Sequence, residues 1–242
     1  MDRMIYLSMS GAKAMMQRQD TLANNLANVS TPGFRAELQA FRAVPVLGDG
    51  ASTRVYALET TPGYDNSPGV ITNTGRNLDV AAKGNSWLSV QALDGTEAYT
   101  RGGALDITSE GTLVTRSGLP VMGDGGPIQI PANSEVAIGA DGTISAKNAT
   151  TGRSTTVGKL KLVTPETPLQ RGEDGLFRGA EGDLAADANA RVQDGALEGS
   201  NVSAVETMVA MIAAARQFET QMKMLQTAEG DEKAAAQLLS MS

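Results

Sequence analysis

The chain has no histidine and no cysteine among its 242 residues. That removes the commonest general base, the commonest metal ligand and the thiolate nucleophile. Ser-His-Asp catalysis, His-ligated zinc and any disulfide are excluded with them. One common chemistry needs neither residue: a carboxylate pair acting on a glycan. Asp79, Glu97, Asp106 and Glu110 could supply such a pair. Nothing in their spacing brings any two to the separation required, and solvated turn carboxylates are the plainer explanation. Two further motifs fail. Gly123-Asp124-Gly125-Gly126 lacks the Gly-Lys-Ser/Thr that completes a phosphate loop, and reads as a hairpin turn. Asp187, Asn189 and Glu198 have the spacing of calcium-loop positions 1, 3 and 12, but Arg191 stands where an oxygen ligand belongs and Val192 replaces the required glycine. No cofactor or metal is expected.

Composition bounds the remaining classes. A formal net charge of −7 argues against a nucleic-acid partner, which needs a concentrated positive field. Residues 165–206 carry nine acidic and three basic side chains, so much of the excess is surface ahead of the C-terminal segment. No run of about 20 apolar residues exists, so no membrane insertion is expected. Asp2, Arg3, Lys13, Arg18 and Asp20 interrupt the first 30 residues, which therefore lack the apolar core of a secretory signal. A chain of this kind would leave the cytoplasm without a cleaved peptide. Aromatics make up only 4%, so the core must be built from aliphatic residues, Met and Ala.

Periodicity divides the chain. Ile5, Ser8/Met9, Ala12, Met15/Met16, Gln19, Leu22/Ala23 and Leu26 recur at three- and four-residue steps and predict a helix over residues 1–29. Ser203 and Glu206 have capping-box spacing, which predicts a helix from Ala204 to about Ala228. Met208, Met211, Ala215, Phe218, Met222 and Leu225 form a heptad seam on it. Gly230 is expected to end or interrupt this helix, with a short helical tail over 232–239. Between the helices, Asp94-Gly95, Glu110-Gly111, Ser117-Gly118, Asp124-Gly125, Asp141-Gly142, Asp174-Gly175 and Asp194-Gly195 mark turns. The runs Trp87–Leu93, Thr112–Thr115, Leu119–Met122, Ile128–Ile130, Glu135–Ile138, Thr143–Ala146 and Lys159–Val163 are β-prone. Pro45, Pro62-Gly63 and Pro68-Gly69 punctuate a polar stretch of different character.

The fold class is therefore α+β, with an inserted, mainly antiparallel β domain and an extended connector. The expected division is 1–34, N-terminal helix of a coiled-coil core; 35–78, extended connector or partly paired β hairpin; 79–200, mainly β domain; 201–242, C-terminal helix of the core. The N-terminal stripe is wide enough to exceed one partner helix, so these helices are expected to pack also against copies of related chains.

Asn24, Asn25 and Asn28 interrupt the helical pattern just before Thr31-Pro32-Gly33-Phe34. A solvated helix end is the simpler account; an amide patch at subunit contacts is the functional one, because an amide both donates and accepts. Pro32 forces Thr31 out of the helix, Gly33 permits a tight turn, and Phe34 returns an anchor to the surface.

Ala23-Asn24-Asn25-Leu26-Ala27-Asn28 with Thr31-Pro32-Gly33-Phe34 resembles the N-terminal signature of the bacterial flagellar rod and hook proteins. Leu78-Asp79-Val80-Ala81, Gly84 to Val90 and Tyr99-Thr100-Arg101 are similar to the central signature of the longer members, with Trp87-Leu88 where many relatives have two phenylalanines. Leu197-Glu198-Gly199-Ser200-Asn201-Val202 resembles the C-terminal signature. Chain length, the start Met1-Asp2 with Ile5-Tyr6, and Arg216 to Lys223 are more like a proximal than a distal rod subunit. The resemblance implies a structural, non-enzymatic protein of the basal-body rod in the periplasm. It implies export by the flagellar type III apparatus without a cleaved signal, and helical stacking with itself and other rod proteins to transmit torque. The residues it implicates in assembly are Ile5, Met9, Ala12, Met16, Leu22, Asn24, Asn25, Leu26, Asn28, Pro32, Gly33, Phe34, Asn201, Val202, Met208, Met211, Ala215, Phe218, Met222 and Leu225. A distal rod subunit, a carboxylate-dependent glycan hydrolase and a secreted adhesin-like β protein are the competing functions. The heptad ends argue against the last.

Overall fold

A computed structural model describes residues 2–45, 55–59 and 63–240. Met1, residues 46–54 and 60–62 of the expected connector, and residues 241–242 lie outside these. The chain is α+β: a helix, a mainly antiparallel β region and a second helix. It divides into two units. One contains Met1–Val29, Ala36–Asp65 and Val202–Ser242; the other contains Ser30–Arg35 and Asn66–Asn201.

The first unit holds both helices. Helix α1 spans Asp2–Ala27 and α2 spans Ala204–Ser240. The Ser203 hydroxyl accepts the Glu206 N–H at 3.4 Å, so α2 starts where the capping pattern predicts. Its other end differs from expectation, because α2 runs through Gly230 without a break. Glycine costs a helix interior about 1 kcal/mol relative to alanine. Here it lies among strong helix formers, and a Glu229–Lys233 ion pair at 2.7 Å bridges the turn around it. A Cβ at 230 would meet nothing within 4 Å. Gly230→Ala is accordingly expected to stabilise α2 by about 1 kcal/mol, read as a higher thermal midpoint of the helical circular dichroism signal.

The seam of α2 also differs. Burial follows Thr207, Met211, Ala214, Phe218, Gln221, Leu225 and Ala228, alternating by four and three. Met211, Phe218 and Leu225 belong to the predicted line. At 207 and 214 the buried residue lies one place before the predicted one, Met208 being exposed and Ala215 half-buried, while Gln221 and Met222 are both half-buried. Small side chains occupy the closest approach. On α1 the most buried are Ser8, Ala12, Ala14 and Asn25, and a Cβ on Gly11 would sit 3.0 Å from Cδ of Gln221. The Phe41–Pro45 and Val55–Glu59 strands pair as an antiparallel hairpin in the same unit, and Glu37–Leu38 pairs with Gly63–Tyr64.

The second unit is β throughout. Its largest sheet has five antiparallel strands in the order Leu162–Val163, Trp87–Gln91, Glu97–Thr100, Phe177–Arg178, Gln170–Arg171. Three more, Ser134–Ile138, Thr143–Asn148 and Ser154–Lys159, form an antiparallel meander. The core between them is aliphatic, as the shortage of aromatics requires: Val80, Leu88, Val90, Leu105, Leu113, Val121, Ile144, Leu160 and Val192 are among its most buried members. Leu160 and Leu162 are buried, with Lys159 and Lys161 partly exposed between them, but Lys159–Val163 is two strands rather than one. The expected Leu119–Met122 and Ile128–Ile130 strands are displaced into a Met122–Gly123 and Gly126–Pro127 pair. Ile128 and Ile130 still face the core from irregular backbone.

The sheet positions one titratable side chain deep. Tyr99 is buried, its phenolic oxygen accepts the Leu184 N–H at 2.6 Å, and burial pushes its pKa from 10.0 up to about 12. The unfolded chain releases this proton near pH 10 and the folded chain only near 12, so stability falls as pH rises through that interval. Alkaline spectrophotometric titration is expected to resolve one of the four tyrosines as a late transition that moves down to about 10 in denaturant.

Candidate assembly surfaces

The helical unit turns small residues inward and several large apolar ones outward. Tyr6, Met9 and Met16 on α1 are each more than half exposed, as are Val205, Val209 and Ile212 on α2; Met208 is 46% exposed. Of the residues singled out for assembly, Met9, Met16, Asn24 and Met208 are exposed. Ile5, Leu22, Leu26, Asn28, Met211, Ala215, Phe218, Met222 and Leu225 are half-buried, and Ala12 and Asn25 are buried.

The three asparagines have distinct employments inside the chain. Asn25 clamps Glu37: its amide NH₂ donates to the Glu37 carbonyl at 2.9 Å and its oxygen accepts the Glu37 N–H at 2.8 Å. Asn24 donates to the Glu37 carboxylate at 2.9 Å. Asn28 donates to the Asn24 carbonyl and side-chain oxygen, both at 2.9 Å, where α1 has ended. The amides thus fold the chain after α1 back along the helix, satisfying carbonyls that a helix end leaves open.

In the β unit, residues 30–35 are fixed from several sides. The Gly33 N–H donates to the Glu198 carbonyl at 2.8 Å, and the Asn201 N–H to the Phe34 carbonyl at 3.4 Å. The segment that leaves α1 and the one that leads to α2 therefore run side by side, so the two helices are antiparallel neighbours. Gly33 has φ +72°, a conformation that costs other residues strain. Phe34 lies beneath the Arg171 guanidinium, 4.8 Å from Cζ to the ring centroid. The Asn201 amide donates to the Ser67 carbonyl at 3.0 Å, and Val202 is half-buried.

Beside this lies a buried ionic cluster that sequence reasoning missed. Glu198, with no exposed side-chain area, takes Arg35 Nη2 on one carboxylate oxygen at 2.7 Å and Arg101 Nη2 on the other at 2.6 Å. Arg101 Nε adds a third contact at 2.8 Å and the Gly69 N–H a fourth at 2.9 Å. Arg101 also donates to the Gly84 carbonyl at 3.1 Å and to the Ser86 carbonyl. Burial pushes the Arg101 pKa down, and the charge of Glu198 opposes that push. The Cζ atoms of Arg35 and Arg101 stand 5.9 and 5.8 Å from the Trp87 ring centroid, and Trp87 packs on Phe177 at 4.7 Å. Arg101 and Glu198 lie inside the signature stretches Tyr99 to Arg101 and Leu197 to Val202, and Arg35 follows directly on Thr31 to Phe34. A signal was present: two of the motifs contain one of these charges, the third is followed at once by Arg35, and the signs are complementary.

Three of the four carboxylates considered for hydrolysis are engaged elsewhere. Asp79 accepts from Arg76 at 3.0 Å and from Thr74 at 2.7 Å; Asp106 also binds Arg76. Glu97 pairs with Lys161 at 2.7 Å, and Glu110 sits exposed in a turn.

Three family models match along the chain: flagella basal body rod protein over residues 5–35, flagellar hook protein FlgE/F/G D1 domain over 81–146, and flagellar basal body rod FlgEFG protein C-terminal over 193–238. The flagellar basal-body rod protein FlgF of Salmonella typhimurium is 50% identical across the whole of both chains, and that of Escherichia coli 48% across the whole of both. The flagellar basal-body rod protein FlgG of Bacillus subtilis is 30% identical over 94% of this chain and 95% of its own.

Proposed function

The chain belongs to the flagellar basal-body rod protein family, most like FlgF, and is a structural rod subunit rather than an enzyme, from which we propose that it assembles helically in the proximal rod and transmits torque through packed helices. Family membership implies association with other axial proteins of the flagellum. In this proposal the terminal helices make a coiled-coil core, and copies of the chain and of other rod proteins supply the partners its outward faces lack. Export proceeds by the flagellar type III apparatus without a cleaved signal, and the assembled rod crosses the periplasm.

The observation that carries this reading is the exposed apolar set Tyr6, Met9, Met16, Val205, Val209 and Ile212 on the helical unit. A chain meant to stay single gains nothing from showing them to water, at about 25 cal/mol for each Å². Met9, Met16 and Met208 are the named residues most open to a neighbour, while Pro32, Gly33, Phe34 and Asn201 act by holding the chain that joins the helices. The test is quantified mass spectrometry of purified basal bodies. A few copies, far below the distal rod protein, support the proximal position. Comparable or higher copy number overturns it in favour of a distal one, and absence from intact particles overturns the rod placement.

A further inference from the structure

The β unit repeats one turn five times. In residues 92–96, 108–112, 115–119, 139–143 and 172–176 the fourth residue is a glycine whose N–H donates to the first carbonyl, and the first N–H donates to the fifth carbonyl. The five glycines have φ between +75° and +85°. The residue at the tip, second in each turn, is Leu93, Ser109, Arg116, Ala140 or Glu173. The turn itself therefore asks for no apolar side chain there. Leu93 nevertheless occupies one tip and is 96% exposed. Its platform is rigid, because the Asp94 carboxylate also accepts the Thr96 N–H at 2.9 Å and hydroxyl at 2.6 Å. A large apolar group on a stiff mount is already ordered for docking.

A second tip faces a cavity. Arg116 lines a pocket of about 330 Å³ in the same unit, together with Pro32, Thr100, Ala104, Leu119 and Leu176. That volume is at the small end for binding sites and suits a side chain or two rather than a cofactor. Among the described residues the Arg116 side chain makes no hydrogen bond or ion pair. Leu93 lies just before the Glu97–Thr100 strand, whereas Thr100 ends it, and Leu176 adjoins Thr100 through the Phe177–Tyr99 pairing. Leu93 is not among the residues that line the pocket, so knob and pocket do not meet within a chain.

The geometry points to a head-to-tail contact in which Leu93 of one copy enters this pocket in a second copy, with Asp94 beside the otherwise unpaired Arg116. The signs are complementary, Asp94 meeting only the long 3.5 Å contact of Arg178 in its own chain, and a knob and pocket on different parts of one unit make a heterologous contact, which can repeat along an open helix. This rests on the reading that copies of the chain lie side by side in a rod.

The absence of native cysteine makes the test clean. Full-length chain carrying Leu93→Cys and Ser117→Cys together is produced in motile cells, basal bodies are purified, and a mild oxidant is applied. A ladder of dimers and higher species is expected from the double variant and not from either single one. Leu93→Ser is expected to reduce swarming with an unchanged Tm, since serine already occupies the same turn position at 109. Variant present in particles at the wild-type amount without a ladder overturns the contact and leaves the rod position standing. Crosslinks only to a different axial protein also overturn it. Wild-type chain missing from basal bodies overturns the rod position itself, and the contact with it.

Discussion

Glu198→Ala is expected to destabilise the β unit by about 3–5 kcal/mol, because it leaves the Arg35 and Arg101 guanidiniums buried without their shared counter-ion. The pair's own attraction is not the source of that figure; the uncompensated charge is. Both arginines are only 2% exposed, so neither can turn to water without opening the core. Trp87 lies against both and is the only tryptophan, so its fluorescence in a urea titration reads the loss directly. Glu198→Gln keeps the shape, loses the charge and is expected to fall nearly as far. Replacing all three ions together by Arg35→Met, Arg101→Met and Glu198→Leu is expected to recover much of the loss, since apolar side chains of similar volume often substitute well for a buried ion cluster. A Glu198→Ala protein within about 1 kcal/mol of wild type would show that the cluster does not tie the signature segments together.

Gly33→Ala is expected to be comparably damaging for a different reason. A Cβ there would lie 2.2 Å from the Arg101 carbonyl carbon and 2.3 Å from the Gly102 nitrogen, both backbone atoms. The residue also has φ +72°, which costs a non-glycine residue about 1–3 kcal/mol before any clash is relieved. Relief would move the Gly33 N–H away from the Glu198 carbonyl. Together these give an expected loss of about 3–5 kcal/mol, measured by the same fluorescence titration. Gly63→Ala is the control, because a Cβ there meets nothing within 4 Å.

Much of this architecture is legible locally. The glycine-marked turns at 95, 111, 118, 142 and 175 all take the positive φ their sequences suggest, because a five-residue turn depends on its own residues. Helix placement follows from periodicity and a cap. The seam of α2 was harder to read. Size favours Met208 and Met222, while close approach of two helices selects Thr207, Ala214 and Gln221, and only the partner's surface decides between them. Strand order has the same character. Phe177 pairs with Tyr99 and Ala196 with Asn73, and each run of residues carries its own face but not the identity of its neighbour. The Arg35–Glu198 contact joins residues 163 positions apart in the chain. A charge in or directly after each of three short motifs was visible; that all three share a single point was not.

The division of the chain into interleaved pieces sets a timetable. The β unit needs Ser30–Arg35 from one end and residues up to Asn201 from the other, and the helical unit needs Val202–Ser242 to complete what Met1–Val29 begins. During synthesis or any passage that begins at the N-terminus, α1 emerges first and waits longest, with no partner for its inner face until the final segment appears. Most of a helix's stability in a protein comes from packing of its apolar face, so the leading segment stays pliable while most of the chain follows. Closure of both units is deferred to the last fifth of the polypeptide. Under the proposed export, the same order of segments would let the chain travel as a thread and stiffen only on arrival.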